Sequence, residues 1–80
     1  MTIISQVKPL FEKQVWSFSH PEENHYRFCK NTKEFNIYIN GNCIDVSVPL
    51  KNSDTLYKTT FDNSRKCIDY LQFHLNYHKN

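Results

Sequence analysis

The stretch from Phe35 to Val48 constrains this chain more than any other. Phe35, Ile37 and Ile39 alternate with Glu34, Asn36 and Tyr38, and Ile44, Val46 and Val48 alternate with Asp45 and Ser47. Period-two alternation places every second side chain on the same side of an extended backbone, so each run predicts a half-buried β-strand. Asn40-Gly41 stands between them, and such a pair suits a tight hairpin because a type I′ turn needs positive φ at both central residues. With Asn40-Gly41 as the loop, Ile39 faces Asn42, Tyr38 faces Cys43, Ile37 faces Ile44 and Phe35 faces Val46. Apolar then meets apolar on one face, while Asn36 meets Asp45 and Glu34 meets Ser47 on the other. A slip by one residue would turn the apolar set to solvent.

The flanking segments extend this sheet. Tyr26 and Phe28 alternate with Arg27 and Cys29, which predicts a strand over residues 25–30 turning at Asn31-Thr32-Lys33. Residues 15–18 predict a further short strand ended by Ser19-His20-Pro21. After a polar loop at 51–54, alternation of Tyr57, Thr59 and Phe61 predicts a last strand over 56–61. Ile4, Val7, Leu10 and Phe11 are spaced as in a helix, but a proline is tolerated best in a first turn. Pro9 therefore limits the N-terminus to a short helical segment near residues 2–13. Asp62 is the expected N-cap of a helix over 63–78, a segment with neither Gly nor Pro. The predicted fold is α+β: an antiparallel sheet of about three to five strands, a C-terminal helix packed on one face and a short N-terminal helical segment. Residues 1–80 form a single domain.

Composition narrows the function classes. In 80 residues there is little room for a large internal substrate cavity. A hydrophobic fraction of 39% with 15% aromatics is too rich for a disordered chain. The net charge of +2 comes from ten basic and eight acidic side chains mixed along the sequence, without the concentrated basic face of a typical nucleic-acid binder. Cys29, Cys43 and Cys67 are odd in number and form no CxxC, the usage of reduced thiols in a cytoplasmic protein. Residues 1–10 lack the apolar run of a signal peptide, and nothing approaches the ~18 apolar residues of a membrane span. Alanine is absent while Lys, Asn, Ile, Phe and Tyr are common. These are residues of AT-rich codons, an association with phage genes and horizontally acquired cassettes.

Few residues are placed for bond-making. A single glycine rules out the P-loop, dinucleotide and nucleophile-elbow motifs. His74 and His78 are four apart, the spacing of a zinc pair, with His20, His25 and Cys67 as further candidate ligands, but no HExxH is present. Arg27, Lys30, Lys33, Lys51 and Lys58, interleaved with Tyr26, Phe28, Tyr38 and Tyr57, suggest an aromatic, basic surface for single-stranded nucleic acid, although Glu34 and Asp45 interrupt it.

Recognition residues stand out more. At about 100° per residue, Cys67, Ile68, Leu71 and Leu75 share the stripe assigned to the sheet, and Tyr70, Phe73 and Tyr77 lie on the opposite side. Aromatic side chains with few rotatable bonds make good interface anchors, for a partner protein or for a second copy in a homodimer. Glu22, Glu23, Asp45 and Asp54 are candidates for a local acidic patch. The expected function is therefore a non-catalytic, protein-binding inhibitor from a mobile element, needing no metal or cofactor. An immunity protein that neutralises a cognate toxin, for example a nuclease, is its concrete form. The alternatives are a phage anti-defence protein blocking a host nuclease complex and a small nucleic-acid-binding regulator.

Overall fold

Ile3, Ile4, Val7 and Phe11 recur at helical spacing and are all buried on one side of the first element, α1 (Ile3–Glu12). The structure, a computed structural model, describes residues 3–50 and 56–77. Pro9 lies inside α1, contrary to the expectation that it stands in a first turn. It removes one hydrogen bond to the Ser5 carbonyl, a defect of about 3 kcal/mol. Pro9 itself is exposed, and each large apolar side chain buried on the other side contributes about 1.5–3 kcal/mol, so burial prevails. The helix then runs on, with the Lys13 amide donating to the Pro9 carbonyl at 3.1 Å.

The end of α1 explains why the strand predicted from residue 15 starts only at Ser17, with Val15 and Trp16 outside it; the strand then runs on through His20 and Pro21 to Glu22. The Trp16 amide donates to the Phe11 carbonyl and the Val15 amide to the Glu12 carbonyl, both at 3.1 Å. This six-to-one and five-to-two pair is a Schellman cap, and it requires a left-handed residue at the position Val15 fills, with φ 64°. Contact between Phe11 and Trp16, ring centroids 5.6 Å apart, completes the motif. Glycine is the usual residue there, because a β-branched side chain is strained at positive φ. Val15 is also 80% exposed, so its side chain adds little burial. We expect Val15→Gly to stabilise the chain by about 1 kcal/mol, raising Tm by several degrees in a thermal melt.

Five strands follow: β1 (Ser17–Glu22), β2 (His25–Lys30), β3 (Lys33–Asn40), β4 (Cys43–Pro49) and β5 (Leu56–Phe61). Each pairs antiparallel with the next, so spatial order equals chain order and β1 and β5 are the edges. The β3–β4 register differs from the predicted one. Asn40 pairs with Cys43, Ile39 with Ile44, Tyr38 with Asp45 and Ile37 with Val46, so the loop is Gly41-Asn42. Gly41 has φ 59°, and no other loop residue there has positive φ, the pattern of a type II′ turn with Gly first. The shift is by two residues. Two preserves the faces, so the apolar partition stands as predicted.

The sheet has one dry face. Phe28, Phe35, Ile37, Val46 and Val48 are buried against α1 and the C-terminal helix α2 (Ser64–Tyr77), whose Cys67, Leu71 and Leu75 close the core. Phe11 sits at the centre, stacked on Phe28 at 4.0 Å and edge-on to Phe35 at 5.0 Å. The cap of α2 is Asn63 and not Asp62: Asn63 Oδ1 accepts from the Lys66 amide at 3.1 Å. An antiparallel sheet with helices on one face is thus established, with both helical segments present and all five strands formed.

Candidate functional site

The other face of the sheet is covered by no helix among the described residues. Pairing aligns its side chains in rows that cross the strands. One row runs Ser19, Arg27, Asn36, Ser47, Lys58 from β1 to β5; a second runs Glu22, His25, Tyr38, Asp45, Thr60. Between them lies a concavity of about 490 Å³, lined by His25, Arg27, Glu34, Asn36, Tyr38, Asp45, Ser47 and Lys58 together with neighbouring β4 and β5 residues. At its floor Asn36 is only 6% exposed and Ser47 only 5%.

Most polar groups here hold one another. The His25 ring Nε2 donates to Asn36 Oδ1 at 2.7 Å, and the His25 ring stacks on Tyr38 at 4.2 Å. Asn36 Nδ2 donates to Glu34 Oε1 at 3.2 Å, and Cys29 Sγ lies 3.9 Å from Glu34 Oε2. Asp45 accepts at both oxygens, from Thr60 Oγ1 at 2.6 Å and from Asn40 Nδ2 at 3.2 Å. Arg27 Nε donates to Ser19 Oγ at 3.2 Å. Buried polar groups cost stability unless satisfied, so this network also fixes the shape of the surface.

A second surface is the seam where α2 overhangs β5. The Tyr70 ring packs on Phe61 at 5.1 Å and its hydroxyl lies 3.3 Å from Thr59 Oγ1, so this flank of the helix faces β5. Tyr70 is half-buried and belongs to the edge of the core. Phe73 and Tyr77, three and seven residues on, are 67% and 51% exposed, and Tyr57 on the same side of β5 is 55% exposed. The three aromatics predicted on α2 are therefore on one flank, two of them open. Alternation groups Tyr57 with Thr59 and Phe61 on one side of the last strand, and Tyr57 takes its exposure from lying on the edge strand.

The remaining candidates scatter. Glu22 and Glu23 are exposed at the β1–β2 turn, while Asp45 lies three strands from Glu22 in the same row, about 14 Å at ~4.8 Å per strand. They form no single patch, and Asp54, like His78 and Lys51, lies outside the described residues. The supposed basic, aromatic face divides as well. Arg27, Tyr38 and Lys58 are on the open side, whereas Phe28 is wholly buried and Tyr26 packs near Phe18 at 6.3 Å on the helix side. His20 binds the Glu23 carbonyl at 3.0 Å and His74 packs on Tyr70 at 4.5 Å. Among the described residues no three His, Cys, Asp or Glu side chains gather to hold a metal.

The cysteines are unpaired, with Cys43 exposed and Cys67 buried in the core. Burial pushes the Cys67 thiol up to about 12, from the ordinary value of 9.0 that it regains on unfolding. Above about pH 9 the unfolded state loses a proton that the folded state keeps, so stability falls by up to about 1.4 kcal/mol per pH unit until about pH 12. Below pH 9 the thiol has no such effect. Urea unfolding of the chain and of Cys67→Ala at about pH 8 and about pH 10 should show a decline of about 1 kcal/mol in excess for the parent.

No helix among the described residues is long and apolar enough to cross a membrane. No family model, curated protein or solved structure matches this chain.

Proposed function

We propose that this chain is a non-catalytic inhibitor that binds another protein along the α2–β5 seam, as an immunity protein binds its toxin. The observation that carries the reading is the pairing of open aromatics with a sheet edge, β5, that pairs with no further strand among the described residues. Phe73, Tyr77 and Tyr57 are large, exposed and rigid, the residue types that dominate interface energetics. Edge strands invite further pairing unless blunted. β1 is blunted by Pro21 and by a bulge between Ser19 and Glu22, whereas β5 carries the sequence LYKTTF with no proline and pairs with β4 in continuous register from Leu56 to Phe61. A partner strand or loop could extend the sheet at β5 and cover the aromatics with the same movement.

The same surface would serve a phage anti-defence protein, and a toxin reading frame immediately upstream of the gene distinguishes the immunity reading. A nucleic-acid-binding regulator is the second reading. Arg27, Lys58 and Tyr38 on one open face favour it, and the carboxylates of Glu34 and Asp45 on that face oppose it. The test is purification of the tagged chain from cells that carry its gene. The expected result is one stoichiometric protein partner whose activity the chain abolishes. Turnover of a substrate by the purified chain, lost on changing one Cys or His without unfolding, would contradict the reading. So would salt-dependent binding of DNA or RNA at micromolar concentration with no protein retained.

A further inference from the structure

The open face has a surplus of hydrogen-bond donors. The two carboxylates that line its concavity are engaged, Asp45 at both oxygens by Thr60 and Asn40, and Glu34 by Asn36 and Cys29. Its cations are not used up. Arg27 spends only Nε, on Ser19, and among the described residues Lys58 Nζ and the Ser47 and Tyr38 hydroxyls have no hydrogen-bond partner. Arg27 and Lys58 lie in one row on β2 and β5, about 14 Å apart at the backbone, and both side chains are long enough to lean over the Asn36–Ser47 floor between them.

We propose that this concavity is a seat for a single carboxylate, supplied by an acidic side chain of the protein partner. A guanidinium fork and an ammonium approaching from opposite sides, with the Ser47 hydroxyl beneath, match one planar oxyanion. The fixed carboxylates of Asp45 and Glu34 occupy the neighbouring positions along the strands, on either side of the Arg27–Lys58 row. They would repel the successive phosphates of a nucleic-acid strand, yet leave room for one charge between the cations. Lys58 and Leu56 border the seat and also belong to β5, so a partner lying along that edge would reach the seat and the aromatic seam together. This deepens the inhibitor reading, and it rests on that reading only for the partner being a protein.

The test uses the isotope-labelled chain alone, so its failure is separable from failure to find a partner. Acetyl-glutamate amide is titrated while backbone and Asn36 side-chain amide signals are followed by NMR. Saturable shifts centred on Asn36 and Ser47 are expected, with the neutral acetyl-glutamine amide giving none. Lys58→Gln, at an exposed position, should weaken the carboxylate about tenfold at unchanged Tm, and Arg27→Gln should weaken it as much while also losing the bond to Ser19. Three results would overturn the seat: no saturable shift with the carboxylate, equal shifts with the neutral amide, or oligothymidylate binding more than tenfold tighter than the carboxylate.

Discussion

Phe11→Ala is expected to destabilise the chain by about 4 kcal/mol and to lower Tm by roughly 20 °C. The ring is wholly buried and stacked on Phe28, with Phe35 and Trp16 edge-on around it. It ties α1 to β2 and β3 and is also the residue whose carbonyl closes the Schellman cap. Removing it leaves a cavity that three aromatic neighbours cannot collapse into without giving up their own contacts. A small domain has about 5–15 kcal/mol in total, so this single truncation takes a large share. A fall of less than about 5 °C would show that the core is centred elsewhere.

The double variant Phe73→Asp and Tyr77→Asp is expected to weaken partner binding about a hundredfold and to leave Tm within a few degrees of the parent. Both side chains are more than half exposed, so their loss removes little buried area from the folded chain. Tyr70→Ala, on the same flank, gives the opposite signature: it loses the Phe61 packing and the Thr59 contact and lowers Tm. A large fall in Tm for the aspartate pair would assign those rings to the core and not to an interface. The contrast between neighbours separated by one helical turn is what makes the experiment discriminating.

How much of this was legible in the sequence follows from what local pattern can carry. Alternation assigned the faces of β3 and β4 correctly even though the loop is Gly41-Asn42, because a two-residue shift leaves parity untouched. The loop itself was ambiguous: Asn-Gly and Gly-Asn both satisfy a primed turn. Val15 gave no sign of its left-handed backbone, since valine ordinarily marks a strand, and the Schellman bonds that hold it depend on where α1 stops. Asn63 and Asp62 are equally good caps in sequence, and only geometry selects one. The open-face network was the least visible part. Asn36, Ser47, Arg27 and Lys58 come from four strands, and their alignment depends on three registers at once. The α2 flank was legible because helical spacing alone places Tyr70, Phe73 and Tyr77 together, while the depth of Tyr70 required knowing that Phe61 lies beneath it.

Hydrogen exchange on the chain with and without its stoichiometric partner bears most directly on the claim that it works by docking along β5 and α2. The account predicts slowed exchange in β5 and in the α2 half that carries Phe73 and Tyr77, with β1 and the exposed side of α1 unchanged. Protection confined to β1 or α1, with β5 exchanging as in the free chain, would contradict it.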